Sequence, residues 1–250
     1  MSRISTRSKK FALLAVAAFA LAACGGSSEN SNTASTVALG VKNAAPATTS
    51  TSNTTATIAA ACAAGGACVV GDTGPGGGKV FYVAPTYFTS TGSACGTACK
   101  YLESAPVGWI TAATPAGQIN CAVAGNIVVD PRCEWSGNTK IRIGTTQTGI
   151  GSGYANTSAM IAQSNVAGKA ATVARAFRGG GKIDWSLPSK DELNEMNRTR
   201  GLFGAFMTSY WSSSEVGANT AWLQSFLYNN GNQGINNKWV GGFVRPVRAF

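Results

Sequence analysis

The distribution of apolar and polar residues divides the chain into three parts. Residues 11–23 are apolar throughout, but thirteen residues are too few to span a bilayer, which needs about 20. Residues 24–61 are mostly Ser, Thr, Ala, Asn and Gly without any aromatic residue, so they cannot bury enough apolar surface to offset the entropy of ordering. Aromatic residues return after residue 62. The pattern predicts a leader over 1–23, a flexible tether over 24–61 and one folded domain over 62–250.

Within the domain, the hydrophobic spacing predicts an early strand followed, after loops, by two helices. A Gly-rich turn precedes a predicted strand at 79–83. Apolar residues at three- and four-residue steps predict a helix that begins at Asn156 and Thr157 and ends near Phe177, with Gly168 as the point where it weakens or splits. A second helix begins at Ser189, which forms a capping box with Glu192.

The last forty residues have the pattern of strands. Segments 210–214 and 221–228 are predicted strands, and Asn230-Gly231 is typical of a hairpin turn in which both central residues need positive φ. A final strand covers 243–250, with Pro246 at an edge or a bulge. This order predicts an α+β domain with a mixed or antiparallel sheet and two helices.

The leader has the features of a bacterial export and lipidation signal. Residues 1–10 carry four cations and no acid, and the apolar stretch ends in Leu-Ala-Ala-Cys, with Cys24 followed by two glycines. This resembles the lipobox of lipoproteins, in which the cysteine is diacylated and becomes the mature N-terminus. An ordinary signal peptide or a short membrane anchor is the alternative. The leader predicts a protein exported to the bacterial cell envelope and lipid-anchored to a membrane, through chains whose buried methylenes contribute about 0.8 kcal/mol each.

The charge changes once the leader is removed. The whole chain has 20 Lys and Arg against 10 Asp and Glu; without the leader's four cations 16 remain, a net charge of +6. These cations are scattered rather than gathered in a stripe, so no nucleic-acid partner is expected.

Six further cysteines lie in the domain, and an even number in an exported domain favours disulfides. Their spacing favours nearest neighbours among the possible pairings: Cys62–Cys68, Cys95–Cys99 and Cys121–Cys133. Zinc at Cys95 and Cys99 is the alternative, but it would need two more ligands and a reducing compartment. We expect no metal site of this kind.

The composition argues against catalysis. There is no His, which excludes every mechanism that needs an imidazole. Ser212, Ser213 and Ser214 therefore lack an activating base. Asp184, Asp191, Glu192 and Glu195 form the one acidic cluster, and helix capping already accounts for Glu192. We expect no catalytic residue and no cofactor.

Three blocks in order resemble the Lcl C-terminal domain family: KIDWSLPSKDELN at 182–194, YWSSSE at 210–215 and VRPVRAF at 244–250. The resemblance implies a C-type-lectin-like fold, in which the first and last strands pair, on a bacterial surface protein. A more distant similarity to the formylglycine-generating enzyme family does not carry over its oxidase activity, because that activity needs late copper-binding cysteines and none follows Cys133. The tripeptides by which sugar-binding C-type lectins hold calcium do not occur, and calcium binding stays open.

Polar residues around the predicted hairpin form the candidate ligand surface. They are Asn230, Asn232, Gln233, Asn236, Asn237, Lys238 and Trp239, with Asn229 beside them. Amides and an aromatic ring suit the hydroxyls and ring faces of carbohydrates; a solvated turn is the alternative. Trp185, Trp211 and Trp222 are expected in the core. Arg245 and Arg248 either bind anions or pair with buried acids.

Together these features predict a lipid-anchored envelope protein whose lectin-like module binds an extracellular glycan or protein. Two alternatives remain: a structural lipoprotein without a discrete ligand, and a distant enzyme.

A single substitution at Cys24 tests the lipid anchor. Replacing the Cys24 thiol in Cys24→Ser removes the acylation site, so the protein should move from the membrane fraction to a soluble fraction or the medium. Fractionation of cells followed by immunoblotting measures this. A Cys24→Ser protein that stays wholly in the membrane fraction would contradict the anchor.

Overall fold

A computed structural model describes residues 61–111, 121, 130–204, 206–227 and 231–250. All of them belong to one compact unit. The leader, Cys24, nearly all of the tether and Asn230 lie outside the described residues.

Strands occur at both ends of the described chain and helices lie between them, which gives a mixed α+β architecture. The strands are β1 Lys79–Phe88, β2 Cys99–Ser104, β3 Arg132–Cys133, β4 Ser209–Glu215, β5 Thr220–Ser225, β6 Gln233–Asn237, β7 Gly242–Phe243 and β8 Val247–Ala249. The helices are α1 Gly153–Gln163, α2 Ala170–Ala176 and α3 Lys190–Arg198. Across these residues no helix has both the length and the apolar character needed to cross a membrane.

The strands of the described residues form two sheets, with strand orders β1-β2-β8 and β3-β7-β4-β5-β6. The prediction that the first and last strands pair directly is wrong, because β2 lies between them and pairs antiparallel with both. The chain returns from β1 through residues 89–98 to pair antiparallel with it, so β2 takes one edge of β1 and leaves its own other edge to β8. The first and last strands therefore share a sheet without touching as neighbours.

The five-stranded sheet has a different hydrophobic cluster on each face. Tyr210 and Trp211 are consecutive in β4, so their side chains lie on opposite faces, and each belongs to its own cluster. Trp185 and Trp211 are fully buried, which confirms their predicted core role, whereas Trp222 is only half-buried. The sheet is thus covered by apolar side chains on both sides.

The region predicted as one helix forms two. Helix α1 ends at Gln163 and α2 begins at Ala170, with Gly168 between them at φ +76°. The predicted start at Asn156 and Thr157 is also wrong: both lie inside α1, where the Thr157 hydroxyl donates to the Gly153 carbonyl at 2.7 Å. The positive φ suits Gly and is incompatible with a right-handed helix, so Gly168 belongs to the connection between α1 and α2.

The predicted capping box at the start of α3 is confirmed. The Ser189 hydroxyl accepts from the Glu192 amide at 3.2 Å, and the Glu192 carboxylate accepts from the Ser189 amide at 2.8 Å. The cysteines of the domain form the three nearest-neighbour disulfides, with Cα–Cα distances of 4.8, 5.0 and 4.8 Å in chain order.

Buried glutamates hold loops that have no regular structure. Glu103 accepts from the amides of Gly76 at 2.9 Å and Gly78 at 3.1 Å in the loop before β1. Glu192 likewise accepts from Gly151 at 2.8 Å, just before α1. Each carboxylate satisfies loop amides that would otherwise lack an acceptor away from water.

Both late arginines pair with buried acids, as one of the two interpretations of the sequence expects. Arg248 in β8 contacts Glu103 at 3.0 Å and Asp184 at 2.5 Å. Arg245 contacts Asp130 at 2.6 Å. The carboxylates offset the cost of burying the guanidinium groups, so these arginines tie the end of the chain to the core.

The pH dependence of stability tests the Glu192 contacts. Burial raises the pKa of Glu192 to about 7, although amides of Ser189, Gly151 and Gly153 oppose the shift. Because the pKa is raised above the ordinary 4.5, the stabilisation by Glu192 is complete below pH 4.5 and is lost as the pH rises to about 7. The free-energy advantage of wild type over Glu192→Gln should therefore shrink across this range, by on the order of 3 kcal/mol.

Denaturant unfolding of both proteins at several pH values measures that difference. Glu195→Gln removes a partly exposed carboxylate from the same helix and serves as the control. If the stability advantage of wild type over Glu192→Gln grew with pH, it would contradict the raised pKa of Glu192.

Candidate functional site

The structure divides the predicted ligand residues into an exposed and a buried group. Asn232, Asn237 and Trp239 are exposed, with Trp239 at 60%. Gln233 and Asn236 are partly buried in β6, and the Gln233 amide donates to the Lys190 carbonyl at 3.0 Å. The predicted surface therefore persists around Trp239, but not all of its members face solvent.

Lys238 is a correction to the predicted surface, because it is 0% exposed. Its ammonium donates to Glu215 at 2.5 Å and to the Ala218 carbonyl at 2.9 Å, and it lies 4.6 Å from the centre of the Trp135 ring. A ligand cannot reach this group. The sequence predicts Lys238 at the surface because a lysine between polar residues near a turn usually faces water.

The buried ion pair fixes the turn that presents Trp239. Burial alone would raise the pKa of Glu215, but hydrogen bonds from Lys238, Gly144 and Ile143 outweigh it and hold the pKa below its ordinary value. The Lys238 carbonyl also accepts from the Trp135 amide at 2.9 Å. These contacts hold both the side chain and the backbone of Lys238 in the interior. The next residue, Trp239, is then exposed to solvent.

Two clefts lie next to this turn and share Arg132 and Gly241. One, of about 350 Å³, is lined by Trp239, Glu134, Lys169 and the Cys121–Cys133 disulfide. The other, of about 380 Å³, is lined by residues that include Ser209, Leu223, Asn236 and Val240. We call the set Arg132, Glu134, Lys169, Asn236 and Trp239 the Trp239 surface.

Charged groups on the Trp239 surface are held in place. The Arg132 Nε donates to the Gly241 carbonyl at 2.9 Å, which keeps the exposed guanidinium on the wall shared by the two clefts. Lys169 pairs with Glu134 at 2.5 Å, and both side chains are partly exposed. The surface thus offers an aromatic face, an amide, one carboxylate and two cations.

Sequence reasoning missed Arg132, Glu134 and Lys169. They lie far before Trp239 in the chain, and no local pattern links them to the hairpin. One signal was present: Arg132 and Glu134 flank Cys133, and a disulfide fixes the position of its neighbours. The sequence does not show, however, that β3 pairs with β7 and so carries Arg132 to the Trp239 turn.

The acidic residues that the sequence groups together have different basic partners in the structure. Asp184 pairs with Arg248, Asp191 with Lys190 and Glu195 with Arg198. Ser212, Ser213 and Ser214 of β4 are buried, and their hydroxyls donate to backbone carbonyls. Within the described ranges, no group of three or more Cys, Asp or Glu residues is arranged to hold a metal ion.

Compared with known proteins, the chain matches no family model and no curated protein. The family resemblance drawn from the sequence therefore stays a prediction.

Proposed function

We propose that this chain is a lipid-anchored protein of the bacterial cell envelope whose domain binds an extracellular glycan through the Trp239 surface. The leader and the polar tether support the location, because they would hold the domain away from a membrane. Disulfides are typical of proteins in oxidising compartments outside the cytosol.

The exposed indole is the observation that carries the proposal. Trp239 lies beside a cleft with 60% of its surface exposed to water. Burial of so large an apolar side chain would stabilise the fold, so its exposure is unfavourable in the absence of a ligand. Such a ring can cover the apolar face of a sugar, while neighbouring amide and charged groups form hydrogen bonds to hydroxyls.

The charges on the surface favour an acidic glycan. Arg132 and Lys169 line the same cleft as Trp239, and Glu134 compensates only one of them. A carboxylate or phosphate on the sugar would bind the Arg132 guanidinium, which the Gly241 carbonyl already holds in position. We therefore favour anionic envelope polysaccharides over neutral ones.

The proposed fold is a divergent C-type-lectin-like domain. The mixed α+β architecture supports it, as does the presence of the first and last strands in one sheet. In this proposal, β2 is an insertion between those two strands, stapled at its start by the Cys95–Cys99 disulfide.

The binding proposal is tested with purified protein that carries Cys24→Ser, screened on an array of neutral and acidic glycans. Trp239→Ala should weaken binding of the best acidic glycan roughly thirtyfold, as expected for a central aromatic contact of about 2 kcal/mol. Tyr87→Ala is the matched control, because Tyr87 is a 70% exposed aromatic side chain outside both clefts.

Titration calorimetry gives the affinities. Equal weakening by both substitutions, or none by Trp239→Ala, would contradict the site. A screen without any glycan ligand would contradict the proposed function and favour a protein ligand or a structural role.

A further inference from the structure

Another cleft, of about 370 Å³, shares no residue with the Trp239 surface or with the two clefts beside it. One of its walls is the loop at 92–94, between β1 and β2, and the other is the segment 181–184. Tyr154 of α1 and Arg248 of β8 complete the lining. The volume lies at the lower end of the range for small-molecule sites in proteins.

Contacts between the walls hold this cleft open. The Cys95–Cys99 disulfide fixes the chain directly after the first wall. The Ala94 amide donates to Asp184 Oδ2 at 3.3 Å and so connects the two walls. Gly92 lies so close to α1 that a methyl group added to it would come within 3.0 Å of the Tyr154 ring. The cleft is therefore formed without a ligand.

The guanidinium of Arg248 is the fixed donor of the cleft. The side chain is 7% exposed, and it donates through Nη1 to Glu103 at 3.0 Å and through Nε to Asp184 at 2.5 Å. Nη2 donates to none of the described residues, yet it remains accessible to solvent. Nε and Nη2 share one edge of the planar group, so Nη2 lies on the side of Asp184, which lines the cleft. Two carboxylates thus hold in place a donor whose own hydrogen bonds are left for a molecule in the cleft.

The charges around the cleft favour an anion. Asp184 is already engaged through both oxygens, by Arg248 and by a backbone amide. Lys182 lines the cleft and forms no ion pair with an acid of the described ranges. Arg175 adds a further positive charge beside the cleft, because its Cζ lies 3.9 Å from the centre of the Tyr154 ring. A negatively charged group would therefore meet an excess of cations with defined positions.

We propose that this cleft binds a small organic carboxylate whose apolar part lies between Tyr154 and Ile183. The carboxylate would accept hydrogen bonds from Arg248 Nη2 and from the Lys182 ammonium. Tyr154 is partly exposed and the Ile183 side chain is 70% exposed, so both offer apolar surface at the cleft. An inorganic anion would use the donors but leave that apolar surface in water, which favours an organic acid.

Titration calorimetry with benzoate tests the site, on full-length protein that carries Cys24→Ser and at constant ionic strength. Wild type should bind benzoate with a dissociation constant of about 1 mM. Benzamide has the same shape without the charge and should bind at least about tenfold more weakly. N-Acetylphenylalanine serves as a second probe: binding tighter than that of benzoate would indicate that the natural carboxylate is the C-terminus of a peptide rather than a free acid.

Two substitutions place benzoate in the cleft. Lys182→Gln removes one cation and should weaken binding about fivefold, whereas Lys140→Gln, at an exposed lysine outside the cleft, is the matched control and should leave the affinity unchanged. Arg248→Lys keeps the charge but removes the planar fork, so it should weaken binding at least about tenfold. Near-ultraviolet circular dichroism reports whether Arg248→Lys folds; if it does not, the two lysine variants decide.

Three results would overturn the proposal: no saturable binding of benzoate, equal binding of benzamide, or equal effects of Lys182→Gln and Lys140→Gln. Trp239→Ala should leave benzoate binding unchanged, because Trp239 lies outside this cleft. A loss of benzoate binding in Trp239→Ala would also overturn it, by placing the probe at the Trp239 surface. The test uses no glycan, so its failure is distinct from failure of the proposed function.

Discussion

The described fold depends on hydrogen bonds from the amides of irregular loops to the carboxylates of buried glutamates. Glu103, Glu192 and Glu215 are each shielded from water and would be costly there without hydrogen-bond donors. The loops they contact have amides that no helix or sheet satisfies, and these amides supply the donors. Each group thereby reduces the cost of burying the other, which helps a chain with 31 glycines to keep long ordered connections.

The same glutamate contacts also hold the two ends of the domain together and position one turn at its surface. Glu103 connects the loop before β1 with Arg248 in β8, so both ends of the domain are held at one carboxylate. Glu215 connects the loop at Ile143 with Lys238 and so fixes the turn whose next residue is Trp239. The buried Lys238–Glu215 ion pair therefore fixes the position of the candidate ligand surface, and the exposed residues of that surface are available to contact a ligand.

Sequence reasoning succeeded where the determining interaction is local. The capping box at Ser189 spans four residues, and the disulfides join near neighbours, so spacing alone predicts both. It failed where partners are distant. The burial of Lys238 depends on Glu215, and the placement of β8 beside β2 depends on contacts that hydrophobic periodicity does not encode. The second core layer around Tyr210 was likewise invisible, because a strand with both faces buried lacks simple alternation.

Amide hydrogen exchange tests the glutamate contacts most directly. The account predicts that the loop amides of Gly76, Gly78, Ile143, Gly144 and Gly151 exchange as slowly as strand amides of the same domain, although none of them lies in a helix or a strand. Exchange of these five amides at the rates of an unstructured peptide would contradict it.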